Sequence, residues 1–237
     1  QLRERIAALP RITAPSPGAV AASASDSDNG LGYQPGSPIL VPRRFFGRTM
    51  ERRRILKGLA QTPSLWAMIL GCKRSGKTSL LHYLLRRPIT APVSLREDQR
   101  DDCPVALSHH RFVLVDFQDP RNSRRDTVLL RILEKLGWPG GPVSSVDLDD
   151  FMSRMEHLRE PSVIMMDEVG LALRYYQHEL DLFFWNALRA LAQVTMGKLA
   201  FVVAAHDDPQ RQRMPGSGSP FFNCFGLRHH LKPLTEA

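Results

Sequence analysis

The most specific chemistry in the chain is carried by GCKRSGKT, Gly71 to Thr78, which satisfies Gly-x-x-x-x-Gly-Lys-[Ser/Thr] without a mismatch. The spacing has a physical reason. A loop that wraps a phosphate must turn backbone N–H groups inward, and glycine tolerates the positive dihedrals and the close approach involved. The helix that opens at the end of such a loop adds the positive end of its dipole. In this pattern Gly71, Cys72, Lys73, Arg74, Ser75 and Gly76 form the cradle. Lys77 reaches the β- and γ-phosphates, the Thr78 hydroxyl completes the shell of a Mg²⁺ ion, and Ser79 follows on the helix. The competing reading is a strand-to-helix turn that binds nothing.

A second cluster lies downstream in SVIMMDEVG, where Asp167 and Glu168 end an apolar run. In α/β sheets the C-terminal strand ends form the ligand edge. Asp167 placed there holds Mg²⁺, directly or through water, and Glu168 takes a proton from an attacking water. An Asp-Glu pair alone is a common solvated strand end; its meaning comes from the complete phosphate loop upstream.

These residues need strands and helices to bring them together. LWAMIL (65–70), RFVLVDF (111–117), SVIMMD (162–167) and LAFVVAA (199–205) are short apolar runs with polar or turn boundaries, the pattern of parallel strands buried on both faces. Helical spacing runs from Lys77 to Arg87, from Thr127 to Leu136 with Gly137 as a stop signal, from Asp147 to Leu158 and from Leu180 to Gln193. Strands alternating with helices predict a doubly wound α/β domain. Two polar stretches, 88–104 and 207–220, read as mobile surface loops. Residues 13–42 have linker composition, rich in Pro, Ser, Ala and Gly, and QLRERIAAL before them reads as the end of an upstream helix. The division expected is therefore a tether over 1–40 and a folded core over 41–237.

Composition narrows the classes further. The 237 residues are 43% hydrophobic and 24% charged, which excludes a disordered or fibrous protein. The 32 Lys and Arg outnumber the 24 Asp and Glu, giving a net charge of +8, and 26 of the basic residues are Arg. Such a balance fits nucleic-acid binding, and equally an Arg-rich coding bias spread over the surface. Cys72, Cys103 and Cys224 are too scattered for a disulfide framework or a Cys-x-x-Cys metal site, which points to a cytoplasmic protein. No apolar run approaches the roughly 20 residues of a membrane span. The chain, which lacks an initiating Met, reads as a segment of a longer protein.

FFGRTMERRRI (45–55), GCKRSGKT, RFVLVDFQD (111–119), VIMMDEVG and the closing SPFFNCFGLRHHLKPLTEA (219–237) together resemble the AAA+ and STAND group of P-loop ATPases, and are most similar to bacterial and archaeal members that open with a Phe-x-Gly-Arg-x-x-Glu box. The resemblance implies a three-layer αβα sandwich around a mostly parallel sheet, AAA+-like, ending before the helical lid. It implies ATP with Mg²⁺, and an adenine pocket lined by Phe46, Gly47 and Arg48, with Glu51 capping or orienting the next helix. It places a polar sensor after the strand that follows the Asp-Glu pair, which makes His206 or Asp207 the candidate. Relatives often carry an arginine shortly after the closing Ser-Pro. Here Cys224 stands in that neighbourhood, with Arg211, Arg213 and Arg228 nearby.

Other features admit plainer readings. Tyr175, Tyr176, Phe183, Phe184 and Trp185 suit a core at helical spacing better than a stacking platform. His109-His110 and His229-His230 lack the spacing of helical zinc ligands. The Arg clusters at 43–54 and 121–125 suit DNA phosphates, solvated faces or subunit contacts equally. Three functions follow: an ATP-driven switch coupled to oligomerisation or attached domains in signalling or defence, a DNA-handling AAA+ ATPase, or a nucleotide-stabilised scaffold that hardly hydrolyses. The partners expected are ATP or ADP and further copies or domains, with DNA in the second case and no membrane in any.

Overall fold

The computed structural model describes residues 36–138, 145–211 and 218–233. The expected tether and helix end therefore lie, up to Pro35, outside the described residues, as do Arg213 and the tail after Pro233.

Among the described residues five strands, β1 (Ala67–Leu70), β2 (Arg111–Asp116), β3 (Ser162–Asp167), β4 (Leu199–Ala205) and β5 (Leu227–His230), form one sheet in the order β2-β3-β4-β1-β5. Every pairing is parallel. β1, β3 and β4 are buried along their whole length, which explains their unbroken apolar sequences. The two edge strands instead alternate buried with exposed residues. β1 starts later than its apolar run, because the Leu65 N–H donates to Gly58 O (2.9 Å) and is thereby lost to the ladder.

Among the described residues seven helices complete the fold: α1 (Thr49–Leu59), α2 (Lys77–Arg86), the single turn α3 (Glu97–Arg100), α4 (Arg125–Lys135), α5 (Leu148–Glu156), α6 (Val169–Tyr175) and α7 (Leu182–Val194). The chain crosses from β1 to the far edge at β2, then returns through β3 to β4. Right-handed crossovers in opposite directions put α2 on one face and the helices that follow β2 and β3 on the other, the layered α/β arrangement the alternation predicts. Helix boundaries follow local chemistry. Asp147 and Asp181 accept the N–H groups of Asp150 and Phe184 at the starts of α5 and α7, and Gly137 takes φ 66° just past α4. α6, unforeseen in the sequence, begins directly after Glu168.

An aromatic wedge fills the space between α7 and the sheet. Trp185 stacks within 5.1 Å of Phe222 and 5.6 Å of Phe221, and Phe221 meets Phe201 at 5.1 Å. The core reading thus holds for Phe184 and Trp185, whereas Tyr175 and Phe183 are exposed.

The expectation of a mobile loop over 88–104 is corrected. This stretch carries two 3₁₀ turns and α3, and it is anchored by buried polar groups. Asp102, 1% exposed, accepts from Arg87 Nε (2.7 Å) and from the Tyr83 hydroxyl, and lies 3.5 Å from Arg52 Nε. Buried charges persist only when paired, so this network fastens the segment to α1 and α2. Polar composition misled here because two of the polar side chains, Gln99 and Asp102, are buried and hold the segment in place.

Candidate functional site

Gly71 leaves β1 where only glycine fits: a Cβ would stand 2.8 Å from both Leu231 O and Ser75 Oγ. Gly76 precedes α2 at φ 91°, and Arg74 is also left-handed at φ 65°. The loop they shape leads straight into the first turn of α2, as the phosphate-loop pattern requires. Cys72, Lys73 and Arg74 are exposed, while the Ser75 hydroxyl is buried with no hydrogen-bond partner. Ser79 is turned away from the loop and accepts Ile39 N–H at 3.0 Å.

Lys77 is 4% exposed and folds its ammonium back over the loop, donating to Gly71 O (2.9 Å) and Cys72 O (3.2 Å). Glu168 Oε1 is 3.9 Å from the same Nζ. Loop, lysine and acidic pair therefore converge although they are far apart in sequence. The reason is topological: β4 separates β1 from β3, and the C-terminal ends of all three strands face the same edge.

Asp167 is buried beside Thr78. Burial drives its carboxyl up to about 6; the Thr78 hydrogen bond opposes this, and the charges of Asp116 and Glu168 add to it. The Glu168 N–H also donates to Asp167 Oδ1 at 2.9 Å. Glu168 itself is left-handed at φ 52°, which turns the chain sharply from β3 into α6. Asp116, opposite Asp167 in the β2-β3 register, is a third carboxylate at this edge that the sequence reading did not single out. Its only sequence signal was its place at the end of an apolar run.

The Phe46-Gly47-Arg48 strip is divided. Arg48 reaches the loop, donating from Nη2 to Ser75 O (3.2 Å) and to Lys232 O, with Glu51 Oε1 3.5 Å from Nη1. Gly47 and Arg48 are both left-handed and bring the chain into α1. Phe46 turns outward and lies under the Arg96 guanidinium at 4.0 Å. His206 follows β4 as expected, with its side chain half exposed and paired to Asp207 at 2.9 Å. Arg228 is engaged by Asp208 and Gln210, both at 2.7 Å, and Arg211 lies 4.0 Å from Asp208.

The donor set suits a triphosphate with a divalent cation. The ammonium of Lys77 has only loop carbonyls and Glu168 around it, the Ser75 hydroxyl is an orphan in the loop wall, and a hydroxyl and a carboxylate meet at Thr78 and Asp167. Among the described residues no cluster of three or more His, Cys, Asp or Glu forms a metal site, so any such ion would draw much of its shell from substrate and water. Among them, too, no helix is long and apolar enough to cross a membrane.

No family model and no curated protein matches the sequence. Solved structures do share its fold. The ORC2 protein of Aeropyrum pernix, in ADPNP and ADP complexes, aligns with a TM-score of 0.59 at 16% identity over 84% of this chain and 50% of its own. The ORC1 protein of the same organism, in complex with DNA, aligns at 0.57 and 16% over 82% and 47%. Cdc6p from Pyrobaculum aerophilum gives 0.55 and 20% over 84% and 48%. The chain thus spans about half the length of these structures. Its architecture, an all-parallel five-stranded sheet with helices, is the α/β fold of these structures.

Proposed function

We propose that the chain is the nucleotide-binding and hydrolysing core of a DNA-handling AAA+ ATPase. The observation that carries this reading is the convergence of Lys77, Thr78, Asp167 and Glu168 on one loop at the C-terminal edge of the sheet. The phosphates of ATP occupy the loop from Gly71 to Gly76. Lys77 exchanges its two carbonyl partners for phosphate oxygens. Thr78 and Asp167 would hold a Mg²⁺ ion, which would supply neutralisation of the phosphate charge. Glu168 accepts a proton from the water whose oxygen bonds to the γ-phosphorus, and ADP leaves with the bridging oxygen. His206, or Asp207 beside it, follows β4, the strand between β1 and β3, and is the sensor in this reading. Arg228 is engaged by Asp208 and Gln210, and if no arginine is brought to the γ-phosphate, turnover by the chain alone is expected to be slow.

DNA handling draws on two facts: the fold is shared with an ORC1 protein solved on DNA, and the chain carries +8. Neither favours signalling or defence. A labelled duplex titrated with the chain at about 50 and 200 mM salt, with and without ATP, tests this. Binding is expected to tighten with ATP and to weaken steeply with salt. A steep salt slope that ignores ATP would reduce the DNA reading to nonspecific basicity. ATP turnover without DNA binding would return the chain to the switch reading, coupled to further copies or attached domains.

A further inference from the structure

Two arginine clusters suit DNA phosphates in sequence, and the structure separates them. Around 121–125 each guanidinium faces a carboxylate: Arg121 lies 2.7 Å from Asp119, Arg124 2.8 Å from Asp126 and Arg125 2.9 Å from Asp181, while Arg131 shares Asp119 at 3.0 Å. Glu179 joins them by accepting the Arg125 N–H (3.2 Å). Arg121, Arg124, Arg125 and Arg131 are thus matched by Asp119, Asp126, Asp181 and Glu179, which leaves no net charge to draw in a polyanion.

The cluster at 43–54 divides differently. Arg48 is engaged by Ser75 O and Glu51, and the buried Arg52 by Asp98 and Asp102. Arg53 and Arg54, with Lys57 a turn further along α1, are exposed, and among the described residues none of the three has an acidic partner within ion-pair distance. The helical period explains the split. Arg52, Ile55, Leu56 and Leu59 face the core, whereas Met50, Arg53, Arg54 and Lys57, at i, i+3, i+4 and i+7, line the opposite face. Like charges at these spacings destabilise a helix, and no acid on this face offsets them. A local rule broken without compensation inside the fold marks a surface that meets an external partner. The apolar stripe of α1 is already used in the core and Met50 alone is apolar on the outer face, so the face suits a polyanion in water better than a lipid surface. Arg53 and Lys57 are about 6 Å apart along the helix axis, a span from which long side chains reach neighbouring phosphates of one strand.

Building on the DNA-handling function proposed above, we infer that the outer face of α1, carrying Arg53, Arg54 and Lys57, docks the phosphate backbone of duplex DNA. The contact positions the duplex and reads no bases. The same helix begins at Arg48, bonded to Ser75 O of the phosphate loop, so the DNA face and the loop share one element.

Anisotropy titration of a labelled duplex over a salt series tests this with two triple variants of equal charge change. Arg53→Gln/Arg54→Gln/Lys57→Gln is expected to weaken DNA at least about tenfold at about 100 mM salt and to lower the slope of log affinity on log salt by about two to three. Arg121→Gln/Arg124→Gln/Arg125→Gln should stay within about threefold of the unaltered chain. Calorimetry should find ATP affinity within about twofold in the α1 variant, and a melting curve establishes that it folds; if it does not, Arg53→Gln and Lys57→Gln singly should each lower the slope by about one. Unchanged DNA binding in the α1 variant, or equal losses in both triples, overturns the inference and leaves DNA handling standing. So does a change of assembly mass in sedimentation with DNA binding intact, which would give the face to a second copy of the chain. If the unaltered chain binds no duplex with or without ATP, the DNA-handling reading itself falls and the inference with it, a result distinct from the others.

Discussion

Asp167 carries the main electrostatic tension in the site, because a carboxyl that the proposed function requires to be charged is buried near Asp116 and Glu168. Its titration is raised from 3.8 to about 6. A folded-state value above the unfolded one means that the protonated form stabilises the fold; that contribution is full below pH ~4 and is lost as pH rises through about 6. Asp167→Asn is therefore expected to stabilise the ligand-free chain at pH 8, by up to about 3 kcal/mol in denaturant unfolding, and to do little at pH 4. The same variant abolishes Mg²⁺-dependent ATP binding. In the unaltered chain that binding should fall about tenfold per unit below pH 6, because the proton competes with the metal. Lys77→Ala should weaken ATP at least about a hundredfold by calorimetry, since a buried ammonium has no substitute. Glu168→Gln should keep ATP affinity within a few-fold and cut phosphate release by about 10² to 10⁴. These residues were legible in sequence because their spacing encodes local geometry. Asp116 was not, because its meaning depends on lying opposite Asp167 in a neighbouring strand.

At the scale of elements, the turn at Gly71 and the aromatic wedge illustrate two kinds of constraint. Gly71 is hemmed in by the Leu231 carbonyl, backbone that cannot swing aside. Gly71→Ala is expected to cost about 1–3 kcal/mol in denaturant unfolding and to weaken ATP binding, because the loop must shift to admit a methyl group. Trp185→Ala removes the centre of the wedge between α7 and the sheet and should cost about 3–5 kcal/mol, leaving a cavity that neighbouring rings cannot close. The four apolar strands and four of the helices were legible from periodicity, within about two residues at their ends. The 88–104 stretch was not. A buried Asp102, Gln99 and Arg87 look solvated in a sequence, and only their partners on α1, α2 and the 42–45 strip reveal that they are structural.

For the whole molecule, strand order is the decisive property. Placing β4 between β1 and β3 brings Gly71, His206 and Glu168 to one edge in that order, although their sequence order differs. The +8 charge loses part of its meaning as a nucleic-acid signal once its local use is seen: Lys77 lies in the loop, Arg48 on its backbone, Arg52 and Arg87 in a buried network. What remains exposed is the part that ATP-dependent DNA titration would report. The resemblance drawn from scattered motifs agrees with the parallel α/β fold that the chain shares with these solved structures.

The parallel α/β class was legible in sequence because apolar runs mark strands covered on both faces, and short-range spacing alone located the glycine turn and the acidic pair proposed as the site. The tertiary structure alone decided which groups meet. It brought Lys77 within reach of Glu168, set Arg48 on the loop backbone, and turned an apparent surface loop into a packed segment over Phe46. The physical reason is that burial and pairing of polar groups depend on neighbours distant in sequence, and no local pattern records which partner will satisfy them.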